Sequence, residues 1–175
     1  MKIIINDILL KEALDYAKLS RAYTSDTHDF HEGGLDAKQK KMFQGKIGEK
    51  AIKQYLINNK IQFNEDKSSH KEADKYDFII YGKNRKYLVD VKTRTQDFHT
   101  RTLEMVKQMK TKNIDIYISV KLEKKSNSKY EVLIIGWCSK KDFIRKNRIE
   151  NNGYLDNYVL YDNELRKINS LLNYL

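Results

Sequence analysis

The chain has 175 residues, 40% of them hydrophobic, which suits one compact domain with terminal extensions. Its formal charge of +10 draws it towards polyanions, of which nucleic acid is the commonest, although abundant Lys, Asn, Ile and Tyr are also what an AT-rich genome produces. Cys138 is the only cysteine, so an internal disulfide framework and a Cys-rich zinc site are excluded. Met1-Lys2-Ile3-Ile4-Ile5 is too short for a signal peptide, and no run approaches the roughly 18 apolar residues of a membrane span. The chain reads as soluble and cytoplasmic, with a phage or mobile element as a conceivable source.

In chain order, Asn6 or Asp7 caps a first helix, with Leu10, Leu14 and Ala17, or Leu10, Ala13 and Ala17, as its buried stripe. Residues 23–36 are polar, broken by Gly33-Gly34, and read as a loop. His28 and His31, spaced H-x-x-H, with Asp26, Asp29 and Glu32 close by, offer a metal-ligating pattern there. A second helix is predicted over 37–58, with a break near Gly45 and a stripe of Ile47, Ala51, Ile52, Tyr55 and Leu56. Gly45 and Gly48 each cost a helix interior about 1 kcal/mol against alanine, which a close backbone approach or plain helix packing would explain. Asn58-Asn59-Lys60 ends this helix, Ile61-Gln62-Phe63 starts a short strand, and 64–75 is a charged loop containing His70.

Tyr76–Tyr81 and Lys86–Lys92 read as a hairpin across Gly82-Lys83-Asn84-Arg85. Leu103, Val106, Gln108 and Met109 suggest a short helix. Ile114–Val120 is isoleucine-rich, as a buried central strand would be, and is hairpin-joined to Tyr130–Trp137. Cys138 follows as a small core residue. Ser139 caps a basic helix through Lys146. Tyr161, Leu165, Ile168, Leu172 and Leu175, at spacings of three to four, predict an amphipathic helical tail that packs on the domain or on a second copy.

Four triplets fit D/E-x-K: Asp36-Ala37-Lys38, Glu65-Asp66-Lys67, Asp90-Val91-Lys92 and Glu123-Lys124-Lys125. Only Asp90 and Lys92 close an apolar β-favouring run that follows a second such run with its own acid, Asp77. Strand alternation puts Asp90 and Lys92 on one face and Val91 on the other. Glu49 adds an acid at the edge of the helical stripe. Two acids and a lysine at one sheet edge offer hard oxygens to a cation beside an amine, the apparatus for attacking a phosphodiester with water.

The order of a helix glutamate, a strand aspartate and then D-x-K on the next strand resembles the PD-(D/E)xK nuclease superfamily over roughly residues 45–120. The family's usual Pro-Asp is Tyr76-Asp77 here, and the chain has no proline. The resemblance implies an α/β fold with a restriction endonuclease-like core. A central mixed sheet is flanked by helices in the order α-β-β-β-α-β, with extra terminal helices. The single domain then divides into an N-terminal helix and loop (1–36), a catalytic core (37–138) and a C-terminal helical extension (139–175).

It further implies Mg²⁺, with Mn²⁺ as substitute, held by Asp77, Asp90, the Val91 carbonyl and Glu49. Catalysis would fall to Glu49, Asp77, Asp90 and Lys92. Thr93, Arg94, Thr95, His99 and Arg101 would meet the nucleic acid, and Gln108 would stand near the active site, as a glutamine does in some members of the superfamily. The expected activity is metal-dependent endonucleolytic cleavage of duplex or branched DNA, of a restriction, junction-resolving or phage-recombination kind, by a monomer or homodimer. The alternatives are a non-catalytic nucleic-acid-binding or assembly protein on the same fold, and an RNA-directed nuclease.

Overall fold

A computed structural model describes residues 1–20, 35–66, 75–125, 129–151 and 155–175. The expected His28/His31 cluster, most of the 23–36 loop, His70 and the Ser126–Ser128 turn lie outside these residues.

The fold is mixed α/β: a six-stranded mixed sheet carries helices on one face and a smaller sheet with short helices on the other. Its strands are β1 (Lys2–Ile4), β2 (Phe63–Glu65), β3 (Phe78–Tyr81), β4 (Lys86–Arg94), β6 (Ile116–Lys124) and β7 (Tyr130–Ser139). They lie in the order β1-β7-β6-β4-β3-β2. Only β4 and β6 run parallel. Between them the chain crosses through β5 (Arg101–Met105) and the helix α3 (Val106–Thr111). β5 pairs with β9 (Asp156–Tyr161), which pairs with β8 (Ile149–Asn151), to make a second, three-stranded sheet.

The helix α1 (Asp7–Leu19) begins where expected, with the Asn6 side chain accepting from Leu9 N at 2.9 Å. Its buried face is Leu9, Ala13 and Ala17, with Leu10 partly buried against the same core, so the expected stripe through Ala13 fits and the one through Leu14, which is exposed, does not. The helix α2 (Leu35–Asn58) runs unbroken through Gly45, so the predicted break is corrected, and it starts two residues early. Its stripe of Ile47, Ala51, Ile52, Tyr55 and Leu56 is wholly buried against Val89, Ile116, Ile118 and Val120. Gly48 is the point of closest approach: a Cβ there would overlap Thr93 Oγ1 and come within 2.9 Å of Val120 Cγ2. Helix-to-sheet packing therefore accounts for this glycine, and nothing lies within 4 Å of a Cβ built at Gly45. Lys60, at φ 55°, reverses the chain into β2, which starts at Phe63 rather than Ile61.

The β3–β4 and β6–β7 hairpins and the buried β6 form as the apolar runs require. Ser139 and Asp142 form a reciprocal capping box on α4 (Lys140–Lys146). The expected short helix forms at Val106, Gln108 and Met109 as α3, but Leu103 falls in the strand β5, with Thr102 and Glu104 turned inward. One expectation fails. The tail is not a helical extension: it supplies β8 and β9, short 3-10 turns and only a four-residue helix, α5 (Leu171–Tyr174). The spacing that suggested a helix instead serves turns, with Ile168 and Leu171 buried in the same core as Trp137.

Candidate functional site

β3 starts pairing at Phe78, opposite Val89, while β4 continues to Arg94 along β6. Past Val89, the β3-facing edge of β4 is therefore open, and the two strands fork. Asp77 sits in that fork. Its N–H donates to Val89 O at 2.8 Å, and its carboxylate Oδ2 accepts the Val91 N–H at 2.6 Å. Val91 directs its backbone groups to this edge because antiparallel strands turn alternate residues' N–H and C=O to alternate sides. Burial first, then the charges of Glu49 and Asp90, push the Asp77 carboxyl well above the usual carboxylate range, against the pull of Lys46 and the Val91 N–H.

Asp90 and Lys92 share a face of β4, as alternation predicts, opposite Tyr117 and Ser119 of β6. They lie on the side of the second sheet, whereas α2 and Glu49 lie on the other. The fork at Asp77 is where the two faces meet. Lys92 Nζ is 2.8 Å from Asp90 Oδ2 and 2.6 Å from Glu104 Oε2, and stands 5.8 Å from the centre of the Tyr117 ring. Burial works against the ammonium, but the two carboxylates outweigh it and raise Lys92 above an ordinary lysine. Burial, with the charge of Asp90 beside it, also raises Glu104 against the pull of Lys92. Glu49 is held by Lys46 at 2.8 Å, one helical turn away.

Each acid is thus held by a partner, and among the described residues no three acid, histidine or cysteine side chains already converge as a cation cage. Their chemistry nonetheless suits a hard divalent ion. If all ionise, four carboxylates (Glu49, Asp77, Asp90 and Glu104) face two ammoniums (Lys46 and Lys92), leaving two surplus negative charges.

A cleft of about 580 Å³ opens beside Lys92, lined by Gln44 and Gly45 of α2, by Val91–Thr95 and by His99 and Arg101, with Ser119 in its wall. All five residues expected to meet nucleic acid, Thr93, Arg94, Thr95, His99 and Arg101, line it. Two are occupied: Arg94 donates to Asp162 at 2.8 Å, and Arg101 pairs with Glu150. Thr93 Oγ1 contacts Gly45 O at 3.4 Å. Gln108 lies on α3 and does not line the cleft.

Glu104 and Lys46 escaped the sequence reading. Glu104 has no spacing rule linking it to Lys92, and its strand carries inward polar residues that obscure strand periodicity. Cys138 is buried with its thiol pushed up by burial, consistent with a core residue. Several basic residues outside the cleft are paired: Lys121 and Lys125 with Glu123, and Lys146 and Arg148 with Glu164. Among the described residues, no helix is long and apolar enough to cross a membrane.

No protein-family model, curated protein or solved structure matches the chain.

Proposed function

We propose that this chain is a metal-dependent nuclease that hydrolyses DNA phosphodiester bonds at the β3–β4 fork. The observation that carries the reading is the fork itself, where Asp77 caps the open edge of β4 while Asp90 and Lys92 project from the next residues of that strand. The succession of α2, an antiparallel β2-β3-β4 meander, a helix-bearing crossover and a parallel β6 also agrees with a restriction endonuclease-like core.

Asp77, Asp90 and the Val91 carbonyl would hold Mg²⁺ or Mn²⁺, with Glu49 reaching it from α2. Bound there, such an ion lowers the pKa of its water and neutralises charge on the phosphate. The remaining work belongs to the chain. Lys92 stays protonated at neutral pH, so it acts as a fixed positive charge for the attacking oxygen and the developing oxyanion, rather than as a base. Thr93 and Thr95 offer hydroxyls along the cleft, and His99 and Arg101 line it further from the fork.

The test is incubation of purified protein with supercoiled, linear, single-stranded and branched DNA, and with RNA, in Mg²⁺, Mn²⁺ or EDTA. Cleavage that needs the metal and disappears in both Asp90→Ala and Lys92→Ala is expected, with metal binding weakened only in the first. Full activity in either variant would remove the assignment. Metal-independent binding without cutting would favour a non-catalytic nucleic-acid-binding protein.

A further inference from the structure

We propose that Glu104 is a positioning residue that holds the Lys92 ammonium at the mouth of the cleft; this rests on the nuclease reading above. Glu104 comes from β5, a strand of the second sheet, yet it meets Lys92 at 2.6 Å, closer than the motif's own Asp90 at 2.8 Å. Its side chain is only 1% exposed, whereas that of Lys92 is 28% exposed and lines the cleft. Among the described residues neither Glu104 carboxylate oxygen has a hydrogen-bond partner, so the ion pair with Lys92 is the polar contact that supports this buried acid.

A buried carboxylate with one charge partner is a poor way to join two sheets, because well-packed apolar residues usually do so at least as stably. It is a good way to aim a lysine. Asp90 is a proposed cation ligand, and a carboxylate that turns to a metal gives up its hold on Lys92. Glu104 is set back from the fork on another sheet and keeps its hold. The ammonium then retains its place and its charge while Asp90 changes partners. The Tyr117 ring, its centre 5.8 Å from the ammonium, is a further neighbour on the same face.

Two experiments decide this. In steady-state cleavage of supercoiled plasmid, Glu104→Gln should lower kcat by about 10²-fold, the scale of a misplaced catalytic group. KM and the half-saturating Mg²⁺ concentration should remain near wild type. Glu104→Asp should recover part of the loss by keeping the charge. Unchanged kcat in Glu104→Gln, or equal losses in kcat, KM and metal affinity, would overturn the proposal.

The second experiment needs no activity. Lys92→Met should lower Tm by leaving Glu104 unpaired, and adding Glu104→Gln should restore part of that loss. Additive Tm changes would overturn the pairing. A wild-type protein that cuts nothing would overturn the nuclease reading and the catalytic purpose of the contact, while the unfolding cycle would still decide whether Glu104 holds Lys92.

Discussion

The Asp77 carboxylate accepts the Val91 N–H at 2.6 Å, joining two strands just where their own ladder has ended. A single acid thus performs a backbone's task at the end of a strand.

Asp77 also gives the protein a pH signature. Its carboxyl is raised in the folded chain by burial and by Glu49 and Asp90, whereas in the unfolded chain it titrates near about 3.9. A proton held more tightly when folded stabilises fully below the unfolded value, and that contribution is lost as pH rises through the folded value. Metal-free protein should therefore lose this contribution as pH climbs. Because a ligand carboxylate must be ionised, stabilisation by Mg²⁺ should grow over the same window. Thermal unfolding in EDTA and in Mg²⁺, from about pH 5 to about pH 8, checks both trends, and Asp77→Asn should flatten them. A Mg²⁺ effect that shrinks with rising pH would count against Asp77 as a ligand.

Glu49 faces the fork from the opposite side of the sheet, paired with Lys46. Glu49→Gln should weaken cleavage most at low Mg²⁺ and be partly rescued by high Mg²⁺ or by Mn²⁺. Metal titrations of cleavage rate decide it. Curves that superimpose on wild type at every concentration would make Glu49 a helix charge with no part in the site.

Gly48 and Gly45 form an internal control for helix packing. Gly48→Ala would press a methyl group into Thr93 and Val120, and overpacking of this sort costs about 1–3 kcal/mol. Gly45→Ala meets nothing within 4 Å and should gain up to about 1 kcal/mol of helix propensity. Urea denaturation of the two variants reads the difference directly. Equal effects would mean that α2 can move away from the sheet at little cost.

Nucleic-acid binding should be governed by charge. Neutralising about 6–10 phosphates implies a loss of affinity of about 10³–10⁵ between 50 and 200 mM salt. The pairing of Arg94, Arg101, Lys146 and Arg148 with carboxylates places the expected loss at the lower end of that range. Fluorescence anisotropy with a labelled duplex across salt concentrations measures the slope, and EDTA should spare most of the binding. Affinity insensitive to salt would rule out phosphate contacts as its main source.

Much of the large sheet was legible because its signals are local. β3 and β4 are apolar runs joined by a turn-forming tetrad, and β6 is an isoleucine run that needs burial on both faces. Alternation alone put Asp90 and Lys92 on one face. The second sheet was not legible, because β5 finds its partner β9 more than fifty residues later. Tyr158-Val159-Leu160-Tyr161 did carry a β-favouring signal, but the helical spacing of Tyr161, Leu165 and Ile168 masked it. Glu104 was lost with β5: a helix reading of 103–109 leaves that acid on a solvated face, and only the strand turns it inward.

The pairing of β5 with β9 has a consequence for the order in which the protein is made. Glu104 is carried by a strand whose sheet partner is synthesised more than fifty residues later. While residues 156–161 are still inside the ribosome, β5 has no ladder to join, and the ammonium of Lys92 remains in open water. A nascent chain could build the large sheet early, with Asp77 and Asp90 in place, and still lack the Glu104 contact to its lysine. Completion of that contact would wait for β9 to dock.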